Sequence, residues 1–248
     1  MKQVMLITGS SRGIGAATAL LASRRGYAVC INYLGNAAAA ERLRAQIAGE
    51  GGEALAVQAD VGVEADVLRL FAAVDAQLGP LTALVNNVGV LAQQGKLADM
   101  SAERLQRVLT TNILSYFLCS REAIKRMATS RGGQGGGIVN VGSGAAKHGA
   151  GNVYVDYAAS KGAIDVMTLG LSKEVGGDGI RVNCVRPGII YTDIHASGGD
   201  ADRVAKLAST VPLQRGGQPE EIAETILWLL GPQSSYVSGA LIDAGGAR

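Results

Sequence analysis

Val4-Met5-Leu6-Ile7-Thr8-Gly9-Ser10-Ser11-Arg12-Gly13-Ile14-Gly15 is a short apolar run, then a glycine-rich turn, then the start of a helix that should reach about Arg25. Ala28 to Tyr33 reads as the next strand. Glycines at a strand-to-helix turn let the backbone approach a ligand closely. The helix behind them offers free N–H groups and the positive end of its dipole to a pyrophosphate. The spacing is G-x-x-x-G-x-G rather than the commoner G-x-G-x-x-G. Taken alone, such glycines serve tight packing as readily as ligand binding.

Strand and helix alternate through the rest of the chain. Ala37 to Gly49 has helix-forming composition, Ala54 to Gln58 is a strand delivering Asp60-Val61 to a loop, and Glu64 to Gln77 is a helix. Leu81 to Val85 is a strand ending in Asn86-Asn87-Val88-Gly89. A helix from about Ala102 runs into a longer one that holds Thr111-Asn112 and reaches Met127. After a loop from Ser130 to Gly137, Ile138 to Val141 is a strand ending at Ser143. Ile180 to Val185 is another, ending at Arg186-Pro187-Gly188. Ile189 to about Asp200 reads as a long irregular loop, followed by a short helix to Ser209, a helix from Pro219 to Leu230 and a strand near Ala240 to Ile242. Polar and glycine residues keep falling just after strand ends, where a doubly wound parallel sheet has its ligand crevice. The expected architecture is therefore α/β, a single domain over residues 1–248 built on a doubly wound parallel β-sheet with helices on both faces. The 248 residues suffice for one core, and 35 glycines suit many tight strand-to-helix turns.

Composition excludes several classes of function. Net charge is only +2, from 23 basic and 21 acidic residues, so nucleic acid is not an expected partner. No apolar run approaches a membrane span, and Thr8-Gly9-Ser10 comes too early for a signal peptide, so a cytoplasmic protein with no membrane partner is expected. Cys30, Cys119 and Cys184 are far apart among apolar residues and read as buried thiols. His148 and His195 do not make a zinc site in such company, and no metal is expected.

In Tyr154-Val155-Asp156-Tyr157-Ala158-Ala159-Ser160-Lys161, a helix puts Tyr157 and Lys161 on one face. A neighbouring ammonium favours the phenolate. Lowering a tyrosine pKa toward neutrality needs about 4 kcal/mol, which Lys161 and a bound cationic ring together supply. Tyr157 is thereby a candidate acid/base. Considered without the rest of the chain, the pair is equally an ordinary tyrosine and lysine on a solvated helix.

Thr8-Gly-xxx-Gly13-x-Gly15, Asp60-Val61, Asn86-Asn87-x-Gly89, Asn112, Ser143, Tyr157-xxx-Lys161 and Pro187-Gly188 resemble, in order and spacing, the short-chain dehydrogenase/reductase family over essentially the whole chain. The resemblance implies a Rossmann fold and hydride transfer between a nicotinamide cofactor and a small-molecule carbonyl or secondary alcohol. It implies that Tyr157 exchanges the proton and that Lys161 lowers its pKa and holds the nicotinamide ribose. Ser143 then binds the reacting oxygen, and Asn112 completes a proton relay through water. Gly9, Ser11, Arg12, Gly13, Ile14 and Gly15 would hold the cofactor's phosphates, Asn32 and Tyr33 its adenosine ribose, and Asp60 and Val61 its adenine. Asn87 and Gly89 would line the cofactor cleft, and Pro187, Gly188, Ile190 and Thr192 would contact the carboxamide. Two departures are small: Val88 stands where the family has alanine, and Ser143 lies 14 residues before Tyr157, one more than in many members.

Val90, Leu91, Ala145, His148, Tyr154, Ile189, Ile190 and Ile194 are the candidate substrate-pocket residues, with a substrate loop over about 189–210. The resemblance is to 3-oxoacyl-carrier-protein reductases and to the glucose-dehydrogenase-like branch. Lys125, Arg126 and Arg131 could meet an acidic carrier protein, but Asp178 stands where such reductases are expected to have arginine. A cofactor sensor without turnover is disfavoured by the complete Tyr/Lys/Ser set. No Asp or Glu precedes Glu41, so nothing at the end of the second strand repels a 2′-phosphate, while Arg12 can bind one. NADP(H) is the preferred cofactor on this reading, with NAD(H) possible and Asn32 adding a neutral hydrogen bond. Apolar residues on the helices around Asn112 and Tyr157 (Tyr116, Phe117, Leu118, Ile164, Met167, Leu171) exceed one core-facing stripe. With the family's pairing of these helices, they point to a homotetramer.

Overall fold

The computed structural model describes residues 2–247. Its first strand, β1 (Gln3–Ile7), alternates two sets of side chains: Val4 and Leu6 enter the core on one face of the sheet, Met5 and Ile7 the core on the other. That alternation follows from the two-residue period of a strand. Both faces being apolar, β1 must lie centrally and be covered on both sides. The elements that follow are α1 (Gly13–Arg24), β2 (Tyr27–Tyr33), α2 (Ala37–Gly49), β3 (Ala54–Gln58), α3 (Glu64–Gln77) and β4 (Ala83–Asn86). Next come α4 (Ala102–Leu109), α5 (Ser115–Met127), β5 (Gly136–Val141), α6 (Ala145–His148), α7 (Val155–Glu174) and β6 (Ile180–Pro187). The chain ends with α8 (Ile194–Ser197), α9 (Arg203–Leu207), α10 (Pro219–Leu230) and β7 (Leu241–Ala244).

The strands form one parallel sheet in the order β3-β2-β1-β4-β5-β6-β7. Successive strands are added toward one edge from β1 to β3 and toward the other from β4 to β7, and this switch between β1 and β4 opens a crevice beyond their C-terminal ends. One face packs Phe71 and Leu70 of α3 with Leu118, Cys119 and Met127 of α5, and the other packs Ala19 and Ala22 of α1 with Ile222 and Ile226 of α10. All three cysteines are buried free thiols, and burial raises the pKa of each. No helix among the described residues is long and apolar enough to cross a membrane.

Several boundaries differ from the sequence reading. β4 begins at Ala83, not Leu81; just before it, the Thr82 hydroxyl accepts from Val4 N at 3.0 Å and donates to Val4 O beside the main-chain bond from Thr82 N to Val4 O. β5 begins at Gly136, because Gly136 and Gly137 pair with Ile180 and Arg181 despite their loop-like composition. The stretch after Ile189 is not wholly irregular, since Ile194–Ser197 forms a helical turn whose His195 Nε2 lies 3.0 Å from Ile190 O. Of the six apolar residues expected in surplus, Tyr116, Leu118, Ile164 and Met167 are buried within the chain and Leu171 packs on the core, leaving Phe117 exposed. The two helices bury more than one stripe because each packs against the sheet and against the other.

Candidate active site

The turn after β1 takes its shape from main-chain conformation. Gly9 and Gly13 have φ of +60° and +55°, and a Cβ at Gly9 would sit 3.2 Å from Val88 Cα. Side chains from other strands then lock that shape. Asn87 Nδ2 donates to Thr8 O (2.9 Å) and Gly9 O (3.0 Å), Thr8 Oγ1 accepts from Asn87 N (3.0 Å), and Asn32 Oδ1 accepts from Gly9 N (3.1 Å). Arg12, at the N-cap of α1, makes no capping hydrogen bond with its side chain, so the first N–H groups of the helix face the crevice for a ligand. These features fit a dinucleotide pyrophosphate. Gly9, Ser11, Arg12, Gly13 and Ile14 all line one cleft of about 750 Å³.

Gly15 does not line it. A Cβ there would lie 2.6 Å from Asn87 Nδ2 and 2.7 Å from Ser10 Cα, so this glycine lets α1 pack against the turn. Asn32 and Tyr33 reach the cleft at the end of β2, but the role expected of the Asn32 side chain changes. Its Nδ2 donates to Ala59 O at 3.1 Å and Val57 O at 3.4 Å, which leaves no N–H for a ribose or phosphate. Asp60 and Val61 line the cleft, with Asp60 Oδ1 accepting from Gly62 N at 2.9 Å. Asn87, Gly89, Pro187, Gly188, Ile190 and Thr192 line it as well, and a Cβ at Gly13 would touch Thr192 Cγ2 at 3.3 Å, so the loop after β6 closes over the phosphate turn.

Ser143, Tyr157 and Lys161 converge on the same cleft. Lys161 is almost wholly buried, and its Nζ donates to Val141 O at 2.8 Å and to Tyr116 OH at 3.1 Å. It lies 5.8 Å from the centroid of the Tyr157 ring. Burial lowers its pKa from 10.5 to about 8, partly opposed by Cys184 and Asp165. With no cofactor bound, desolvation raises the Tyr157 pKa and the Ser143 hydroxyl pulls it down.

Asn112 is fully buried in a π-turn, Thr110–Leu114, between α4 and α5. Its Oδ1 accepts from Val90 N at 2.8 Å, and its Nδ2 donates to Val90 O and Ser160 Oγ, each at 3.1 Å. It does not line the cleft, and its side-chain amide is engaged within the protein. Every residue expected in the substrate pocket, from Val90 and Leu91 to Ile194, does line the cleft. Sequence reading missed Tyr116, Arg107, His195 and Arg203. Tyr116 had a usable signal, standing four residues after Asn112 on the same helical face. The other three had none. No group of acidic, histidine or cysteine residues that could hold a metal ion occurs among the described residues.

The chain is similar to known proteins along almost its whole length. A family model described as Enoyl-(Acyl carrier protein) reductase matches residues 9–246. The "Uncharacterized oxidoreductase YgfF" of Escherichia coli is 54% identical over 245 residues, covering 99% of each chain. A "NADPH-dependent aldehyde reductase-like protein, chloroplastic" of Arabidopsis thaliana is 34% identical, covering 98% of this chain and 93% of that one. Among solved structures, a blue fluorescent protein from a metagenomic library in complex with NADPH superposes with a TM-score of 0.90 at 32% identity, over 99% of this chain and 97% of that one. The chain belongs to the short-chain dehydrogenase/reductase family and is an NAD(P)-dependent oxidoreductase.

Proposed function

We propose that this protein reduces a carbonyl compound to a secondary alcohol with NADPH, Tyr157 supplying the proton. The observation that carries this reading is the meeting of Ser143, Tyr157 and Lys161 in the cleft that also holds the phosphate turn. When bound, the reduced nicotinamide supplies the hydride to the carbonyl carbon. Tyr157 donates its O–H to the carbonyl oxygen as negative charge builds there. The Ser143 oxygen already accepts from Ala145 N at 3.1 Å, so its own proton remains to hydrogen-bond the same oxygen and orient it. Lys161 uses two of its three donors on Val141 O and Tyr116 OH, and the third is available to a ribose hydroxyl. Asn112 acts as a positioning residue, tying Val90 to the catalytic helix through Ser160.

The preference for NADPH over NADH rests on Arg12. Its guanidinium is 58% exposed at the cleft, with only a 3.8 Å contact to Asp193, and no carboxylate occurs from Asn32 to Asn36 at the end of β2. A charge-assisted bond to a 2′-phosphate contributes about 1.5 to 3 kcal/mol, or roughly 10- to 100-fold in affinity. Turnover of an aldehyde and ketone panel, followed by loss of reduced-nicotinamide absorbance with each cofactor, tests the reading. Wild type should favour NADPH and Arg12→Ala should lose most of that preference. No turnover of any carbonyl despite tight cofactor binding would overturn the reading in favour of a cofactor sensor.

A carrier-protein-linked 3-oxoacyl substrate finds less support. Lys125 pairs with Glu122 at 2.7 Å, Arg126 with Asp75 at 2.8 Å, and neither they nor Arg131 lines the cleft. Asp178 lies in the turn after α7, accepting from Ser130 N at 3.1 Å. The reading includes a cytoplasmic homotetramer; the exposed apolar side chains of Leu114, Phe117, Val166 and Leu169 support the assembly. Light scattering that gives a monomer would remove the tetramer.

A further inference from the structure

The far end of the cleft, beneath the loop after β6, contains polar groups that the reduction chemistry leaves without a task. Arg203, at the start of α9, lines the cleft half-buried, its guanidinium 5.3 Å from the centroid of the Tyr154 ring. The loop's acidic residues do not pair with it: Asp200 bonds Lys206, Asp193 faces Arg12, and Asp202 is exposed. Beside it, His195 Nε2 donates to Ile190 O at 3.0 Å, and its Nδ1 is buried without a hydrogen-bond partner. With the proton on Nε2, Nδ1 is an acceptor. Burial lowers the His195 pKa, which keeps the ring in that neutral form. A buried acceptor without a protein partner is costly unless a ligand or a water supplies the donor, and an unpaired arginine in a concave site favours an anion.

We propose that this end of the cleft is a subsite for an anionic, hydroxylated substrate tail, with Arg203 binding the anionic group and His195 Nδ1 accepting from a neighbouring hydroxyl. The proposal rests on the carbonyl-reductase reading and specifies its substrate class: hydroxylated oxo-acids rather than neutral ketones. The Arg203–Tyr154 stack and the Tyr154 OH bond to Gly198 O at 3.1 Å fasten the loop over the catalytic helix, so the anion-binding group is fixed relative to Tyr157.

The test uses oxocarboxylates that end in a methyl ketone, of increasing chain length, each beside its methyl ester and each with and without a hydroxyl next to the carboxylate, with NADPH as reductant. Wild type should prefer acid over ester by roughly 10- to 100-fold in kcat/KM at the best chain length. Arg203→Gln should lose that preference through KM, with a smaller loss on the ester than on the acid, and Arg203→Lys should recover part of the preference. His195→Gln, which retains a donor for Ile190 O, should lose the preference for the hydroxylated acid. Equal wild-type efficiency for acid and ester, or equal losses on both in Arg203→Gln, overturns the anion subsite and assigns Arg203 a purely structural role. Indifference of wild type to the hydroxyl overturns the role of His195. Thermal shifts of the enzyme–NADPH complex with the corresponding saturated acids and esters read the same contrast without turnover. Failure of the carbonyl chemistry and failure of the subsite are thereby distinguished.

Discussion

The two ends of the cleft are built on opposite principles. At the cofactor end, Arg12 apart, the polar side chains that shape the turn are committed within the protein: Asn32 to Gly9 N and Ala59 O, Asn87 to Thr8 O and Gly9 O, and Thr8 to Asn87 N. At the substrate end, Arg203 and His195 Nδ1 are held near the catalytic helix without partners of their own. The first end recognises its ligand by a preset main-chain shape and a helix terminus, which is suited to a cofactor common to many reactions. The second keeps side-chain hydrogen-bonding capacity in reserve, which is how a site discriminates among related molecules. Between them stand the half-buried Tyr157 and the buried Lys161, both with pKa values shifted by desolvation.

The largest expected effect is at that junction. Tyr157→Phe removes only the transferable proton, so kcat should fall by roughly 10²- to 10⁴-fold while the NADPH dissociation constant stays within a few-fold. Single-turnover kinetics with fluorescence titration of the cofactor measure both, and a variant with most of its kcat would show that Tyr157 is not the acid. Asn32→Leu breaks the committed end. Gly9 N and Ala59 O lose their side-chain partner in a buried place, so unfolding stability should drop by about 2 to 4 kcal/mol and cofactor affinity should fall with it. Denaturant melts with unchanged stability would mean the turn's shape does not depend on this amide.

Lys161→Met sharpens the comparison by separating stability from function. Cofactor binding and turnover should both suffer, because Lys161 has a donor for the ribose and stands beside Tyr157. Stability should nevertheless rise at neutral pH. The pKa of Lys161 drops from 10.5 to about 8 on burial, which corresponds to roughly 3 kcal/mol of unfavourable charge burial, and Tyr116 OH lies 3.0 Å from Val141 O to take the lysine's place there. Below pH 8 the lysine is charged in both folded and unfolded chains, and the penalty is present in full. Between about 8 and 10.5 the folded chain releases the proton first, so wild-type stability gains on the variant as pH rises through that window. Melts of both proteins across it should converge, and a constant difference would mean that Lys161 is solvated rather than desolvated.

The amino-acid sequence by itself determined the alternating elements, several of them to the residue: Ala37–Gly49, Ala54–Gln58 and Glu64–Gln77. It also determined the glycine turn and the placing of Tyr157 and Lys161 on one helical face, because periodicity and i, i+4 spacing depend only on near neighbours in the chain. Tertiary structure alone decided which of these groups are desolvated and where their hydrogen bonds go. Asn32 looks available at a strand end until Ala59, 27 residues away, claims its amide. Lys161 looks like a partner of Tyr157 alone until Tyr116, 45 residues away, also receives its hydrogen bond. Tyr116 and Phe117 are adjacent aromatics, yet one is fully buried against the catalytic lysine and the other faces outward. Arg203 and His195 become a site only because the loop folds back over Tyr154. Burial and pairing depend on segments distant in sequence, and no local pattern encodes which segment arrives.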